Sequence, residues 1–381
     1  MDLTIERKSL EKIVEATQRV AAKNSPQPAF SHLLLEARGG TLLATASDGE
    51  VWLRVAAPAE VAGEGTAAPP AHLLAGLVRR LPDGPVGLRS GPDGATLHVA
   101  YGPSGAALRG LDPEMYPPFP EHNGGEARFS VDGGALGKAL RRVLFAASTD
   151  LARPALNGAL VRRAGGGLRL AATDTFRLAE CRLDVDDGDG TPEGADAIVP
   201  LRALKEVQRL ASGGVEGAVE AAAGEGYIYF RLPGGAELYA RLIAGRFPNY
   251  EEVIPSDFAT AARLGAGELL AAVERAGMLV ENDPLSPPLV ALSFGEGRCT
   301  VAARTQIGEL REELRATVEG EPVEVWFNWR WLAEGLRAVG DGGIFLGLNG
   351  PLGAAVFRPE GGEEGQAYTY VLLPAKPPGE W

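Results

Sequence analysis

Apolar positions spaced three and four apart recur in six stretches of the chain and predict six amphipathic helices. In "SLEKIVEATQRVA", which starts at Ser9, Leu10, Ile13 and Val14 fall on one face. "ALGKALRRVLFAA" from Ala135 and "GELLAAVERAGML" from Gly267 repeat that pattern. A second set follows strand ends: "PPAHLLAGLVRRL", "VPLRALKEVQRL" and "FNWRWLAEGLRAV", whose landmarks Pro70, Pro200 and Asn328 stand 130 and 128 residues apart. Between the helices lie short alternating segments such as "EVWLRVAA" and "ATLHVAYG", bounded by Gly, Pro and Asp, which predict strands joined by tight turns. Glycine-led strands begin at Gly40, Gly167 and Gly297, spacings of 127 and 130.

A period near one third of 381 residues fills the chain, so three similar domains are expected, at residues 1–123, 124–255 and 256–381. Each reads as an antiparallel sheet with two helices, an α+β arrangement. The expected helices span 8–23, 72–81, 135–147, 201–212, 266–277 and 329–339.

Composition narrows the chemistry. The chain is 45% hydrophobic and 23% charged, starts with the charged MDLTIERKSL, and has no apolar run near the roughly 20 residues that cross a bilayer. A soluble cytoplasmic protein without membrane partners is expected. Cys181 and Cys299 are too few for a disulfide framework or a cysteine zinc site. His32, His72, His98 and His122 show no i, i+4 pairing and no nearby cysteine, so no metal is expected. Neither GxxxxGK[ST] nor GxSxG occurs, and no cofactor or catalytic residue is assigned. The acidic stretch "DVDDGDGTPEGAD" from Asp184 lacks calcium-loop spacing and reads as a solvated loop.

A net charge of −13 argues against nucleic acid unless the charge is segregated, and it is. Of the 37 basic residues 15 fall in the six helices, against 6 of the 50 acidic ones, leaving the helices at +9 and the remainder at −22. Lys138, Arg141 and Arg142 share one helical face, as do Lys205 and Arg209. Basic helices within an acidic shell would attract a phosphate backbone without reading bases.

"LAATDTFRLAECRL", from Leu170 to Leu183, places an Asp-Thr turn between two apolar half-strands. Two readings compete: part of a catalytic site, or a hairpin whose Asp174 carboxylate caps local backbone N–H groups. The absence of an acid, base and nucleophile constellation favours the turn.

The repeat, the helices, "ATDTFRLA", "LIAGRFPNYEEVIP" from Leu242, "FNWRWLAEGL" and the tail "YVLLPAK" together resemble the bacterial DNA polymerase III beta subunit, the sliding clamp, over the whole chain. The resemblance implies a head-to-tail homodimer whose six domains close into a ring. Twelve helices would line the hole around double-stranded DNA, and the ring would act as a non-catalytic processivity factor. It implies partners that dock short peptides: the DNA polymerase III core, the clamp loader, other polymerases and repair proteins. One wall of the docking groove would hold Leu156, Thr173, Thr175, Phe176, Arg177, Leu178 and Pro255. The tail residues Val371, Leu373, Pro374, Ala375 and Lys376 would form the other, extended by Asn328, Trp331 and Leu352. DNA-facing residues would be Lys23, Arg79, Arg80, Lys138, Arg141, Arg142, Lys205, Arg209, Arg275, Arg330 and Arg337. Ala106 and Leu108 of one subunit would meet Met278 and Leu279 of the other.

Departures from the family pattern bear on partner choice. Thr175-Phe176 stands where Gly-His or Gly-Tyr is usual, Ala244 and Asn249 replace acidic residues, and Pro154-Ala155 removes aromatic bulk. Five residues, ending in Trp381, extend past Lys376. Ala106 replaces a larger apolar residue, which predicts a smaller subunit contact. These departures raise the alternative of a specialised clamp paralogue with an altered pocket. Trp329 is expected in the core or at a sheet edge.

Overall fold

A computed structural model describes residues 1–91, 94–121, 127–185, 196–213, 216–283, 285, 287–361 and 366–377. His122, most of the acidic stretch after Asp184, and Trp381 lie outside the described residues.

All six periodic stretches form helices: α1 (Arg7–Gln18), α2 (Ala71–Val78), α3 (Gly133–Val143), α4 (Leu201–Ala211), α5 (Ala266–Glu281) and α6 (Trp329–Val339). The buried face of α1 carries Leu10, Ile13 and Val14, as the spacing requires. Four C-terminal ends differ from expectation by three residues or more, that of α2 falling at Val78 in place of residue 81. α1 stops at Gln18, where the Thr17 hydroxyl bonds back to the Ile13 carbonyl at 2.8 Å and the following chain meets Pro26 and Pro28. Lys23 is therefore an exposed residue of irregular chain, outside any helix. α3 gives way after Val143 to a tight turn at Leu144–Ala146, and α5 runs on to Glu281, which makes Met278 and Leu279 helical.

The chain divides into two compact units, residues 1–133 with 210–242, and 134–209 with 243–381. Every named strand pairing is antiparallel. In the first unit a five-stranded sheet ends on the edge strand Ser104–Arg109. Its eight-stranded sheet joins strands of the first and middle thirds where Val51–Pro58 pairs with Glu237–Arg241. The second unit holds a four-stranded sheet with the edge strand Gly308–Arg315. Its nine-stranded sheet joins the middle and last thirds where Arg177–Asp184 pairs with Gln366–Leu372.

Packing in the second unit fixes α6 tightly. Phe327, Phe357 and Tyr370 are among its largest fully buried side chains, and a Cβ at Gly335 of α6 would lie 2.1 Å from the Tyr370 ring. Likewise a Cβ at Gly277 of α5 would lie 2.4 Å from Trp329, so the two helices meet through that indole, which is half-buried between them.

Candidate functional site

The turn at Asp174 is held by its own side chains. Asp174 Oδ1 accepts the backbone N–H groups of Phe176 and Arg177, each at 3.0 Å, and Thr173 Oγ1 accepts that of Thr175 at 3.1 Å. Thr173 in turn donates to the Arg177 carbonyl at 2.7 Å. Asp174 is thus spent on turn formation, with its second oxygen bound to Arg177 Nε at 2.9 Å. Thr175 occupies φ +80°, a region that favours glycine, and Arg153 steadies its hydroxyl at 3.2 Å.

This turn brings together three segments far apart in sequence. Leu178 pairs with Val371 across the sheet, and the Leu373 N–H donates to the Phe176 carbonyl at 2.9 Å. Ala375 N–H donates to the Trp326 carbonyl at 2.7 Å, which ties the tail to the strand leading into α6. Asn328 caps α6 by accepting the Arg330 N–H at 3.0 Å, and the capped first turn presents Trp331. Trp331 stacks on Phe176 with ring centroids 5.5 Å apart, Phe176 remaining 54% exposed.

Arg177 is the joint beneath that stack. Its side chain is 10% exposed and bonds Asp174, Glu334 of α6 and the Phe145 carbonyl, the last at 2.8 Å. The guanidinium also lies between the Phe145 and Trp331 rings, 5.5 and 5.6 Å from their centroids. It lines a cavity of roughly 740 Å³ together with Phe176, Trp331, Arg141 and Lys205.

Not every expected groove residue is at the surface. Leu156, Thr173, Leu178 and Val371 are buried, and Leu178 and Val371 belong to an apolar cluster with Leu160, Ala171, Phe247 and Tyr250. These four are interior positions, while Phe176, Leu373 and Leu352 supply exposed apolar surface. Pro374 and Ala375 are half-buried and Lys376 is exposed. Pro255 is half-buried; within its segment Phe247 and Tyr250 are the residues that enter the cluster, and the Tyr250 hydroxyl donates to buried Glu180 at 3.0 Å. Sequence reasoning missed Glu334, Phe145 and Arg153. Glu334 alone had a signal, one helical turn beyond Trp331 on α6.

The basic residues assigned to DNA divide into classes. Lys23, Arg79, Arg80, Arg141 and Lys205 are exposed and Lys138 half-buried, although Arg79 and Arg80 also bond the α2 carbonyls of Ala75 and Gly76. Arg209 pairs with Glu206, Arg275 with Glu312, Arg330 with Glu281 at 2.9 Å, and Arg337 with Glu274 at 2.6 Å. Arg142 is a correction: it is buried, donates to the Ala338 carbonyl at 3.1 Å and lies over the Tyr368 ring, so it is a structural residue. Sharing a helical face with Lys138 misled because that face is partly covered by α6.

Of the residues expected at a subunit contact, Ala106 and Leu108 lie half-buried on one face of the edge strand Ser104–Arg109. On the second unit Met278 is exposed, and Leu279 reaches the edge strand near Gly308.

Three family models match in succession: the N-terminal domain of the DNA polymerase III beta subunit over residues 1–120, its central domain over 130–249 and its C-terminal domain over 251–376. The beta sliding clamp of Synechococcus elongatus is 32% identical over 382 residues, covering 98% of this chain and 99% of its own. That of Streptomyces coelicolor is 30% identical, covering 99% of each. A sliding clamp from Pseudomonas aeruginosa, solved with griselimycin bound, superposes with a TM-score of 0.89 at 27% identity, over 99% of this chain and 100% of that one.

Proposed function

This chain belongs to the bacterial DNA polymerase III beta subunit family and is a DNA sliding clamp, and from that premise we propose how it does the work. Two copies associate head to tail, the edge strand Ser104–Arg109 of one meeting the edge strand Gly308–Arg315 and α5 of the other. Unpaired edges of this kind are satisfied when strands add across an interface. The ring so formed surrounds duplex DNA and holds it through the exposed cations Lys23, Arg79, Arg80, Arg141 and Lys205 and the half-buried Lys138, with no base contact and no catalytic step.

Partner proteins dock at the groove above Leu178 and Val371. The observation that carries this reading is the Phe176–Trp331 stack: two aromatic rings, one of them more than half exposed, lining a cavity next to the buried Arg177. Such a surface takes an aliphatic or aromatic anchor from a short peptide, and the Arg177 joint keeps it rigid before the ligand arrives. The replicative polymerase, a clamp loader and repair proteins are the partners proposed, in the cytoplasm. The relatives do not favour the specialised-paralogue alternative.

The test begins with solution mass across a dilution series. A mass near twice 39.8 kDa that persists to nanomolar protein, followed by retention on circular but not linear DNA, is expected. A monomer at micromolar concentration, or equal loss from circular and linear DNA, would refute the ring. For the groove, a labelled peptide bearing Leu and Phe anchors should bind, and Phe176→Ala should weaken it by about tenfold.

A further inference from the structure

The internal repeat reproduces the groove's framework within the first unit. Asp48 Oδ1 accepts the N–H groups of Glu50 and Val51 at 3.0 and 2.8 Å, and Gly49 N–H donates to the Ser47 hydroxyl at 2.9 Å. This is the bonding of Thr173–Arg177 displaced by 126 residues, with Gly49 at φ +93° where Thr175 sits at +80°. The Arg241 N–H donates to the Glu50 carbonyl at 2.9 Å, as Leu373 does to Phe176. Both turns therefore feed a strand that pairs with a strand of the following third.

On this second framework lies a cavity of roughly 770 Å³. Charges at repeat-related positions of the two units are exchanged. At the same displacement Glu36 corresponds to Arg162 and Arg54 to Glu180. Arg162 is satisfied by Asp196 at 2.5 Å and Glu251 at 3.0 Å, whereas among the described residues the carboxylates of Glu36, Glu114 and Glu121 meet no basic partner. Phe119 and Tyr116 also line the cavity. The Tyr116 side chain is 6% exposed, and its hydroxyl makes no hydrogen bond of normal geometry among the described residues; the Ser47 backbone lies near enough only to temper the rise in its pKa that burial causes. The site already accommodates one guanidinium: Arg54 lies 4.0 Å above the Phe119 ring and 3.5 Å from Glu237, itself fixed by the Tyr229 hydroxyl at 2.6 Å.

We propose that this cavity is a second docking site, which takes an arginine-bearing extended segment of a partner protein. Unpaired carboxylates beside an aromatic ring that already holds one guanidinium suit a second and disfavour the aliphatic anchor proposed for the groove. The inference rests on the groove reading only for the kind of ligand, a peptide.

The probe is a fluorescein-labelled Gly-Ser-Arg-Pro-Arg-Ser-Gly peptide, titrated by anisotropy against the full chain at physiological ionic strength. Saturable binding is expected, weakened about fivefold or more by Glu36→Gln with Glu114→Gln, weakened also by Phe119→Ala, and unchanged by Phe176→Ala. Circular dichroism confirms that the variants fold. Absence of saturable binding overturns the proposal. So does equal binding by the double glutamine variant, which would mean diffuse attraction to an acidic protein, or loss with Phe176→Ala, which would put the probe in the groove. A Leu and Phe peptide indifferent to Phe176→Ala would sink the groove reading and leave this one standing.

Discussion

Replacing Arg177 with leucine removes the guanidinium that ties the Asp174 turn to α6 and to the chain after α3. Three bonds are lost, two of them to carboxylates. Removing one partner of a buried ion pair costs about 3–5 kcal/mol when the survivor stays dry. Here the Asp174 side chain is 16% exposed and that of Glu334 41%, so Glu334 rehydrates on release while Asp174 and the Phe145 carbonyl do so less well. The leucine keeps part of the packing between Phe145 and Trp331. The expected loss is therefore near the lower end, about 3 kcal/mol. For a unit of this size that lowers the melting temperature by roughly 6–12 °C. Differential scanning calorimetry reads the shift, and urea unfolding supplies the free energy. Glu334→Gln alone should cost about 1 kcal/mol or less, because that carboxylate is partly solvated, and the double variant should show coupling of about 1 kcal/mol. A loss below about 1 kcal/mol for Arg177→Leu, or strict additivity with Glu334→Gln, would refute the account of Arg177 as a joint.

Phe176→Ala should leave stability within about 1 kcal/mol, since the ring is half exposed and stacks on one neighbour, and so separates binding from folding when both are measured. Gly335→Ala places a methyl inside the Tyr370 ring and should cost about 3 kcal/mol or more, visible as a lower melting temperature or insoluble expression; near-wild-type stability would contradict the packing. Glu274→Gln with Glu281→Gln frees Arg337 and Arg330, so duplex DNA binding should strengthen and its salt slope should steepen by about one to two units in a filter or anisotropy assay. Burial raises the Cys299 thiol to about 12, so its protonated form is favoured in the fold. Stability from this group is complete below the unfolded thiol pKa of about 8.5 and declines as pH rises toward 12, while alkylation at pH 9 should proceed only after denaturation.

Helix existence, the threefold organisation and the Asp174 turn were legible because each depends on local rules. An apolar stripe at helical spacing has one way to be buried, and an Asp before two small backbone turns caps the N–H groups that follow it. The pair of tryptophans shows where local rules stop. Trp329 and Trp331 are two residues apart in one helix, so they point to different sides, and only the neighbours decide that the first meets Gly277 while the second meets Phe176.

Charge segregation was likewise visible in the sequence, yet the fate of each cation was not. Lys138, Arg141 and Arg142 follow one pattern, and the last is drawn inward by an α6 carbonyl from a stretch nearly 200 residues away. Arg177 read as one member of a groove wall, and the fold made it the joint under the groove by delivering Glu334 and Phe145 to its two sides. The sequence by itself determined the repeating elements and their sidedness, because backbone hydrogen bonding and apolar burial act over a few residues. Tertiary structure alone decided which polar side chains are spent on one another and which remain for a ligand, because ion pairs and stacked rings act over a few ångströms and join residues that the chain order leaves far apart.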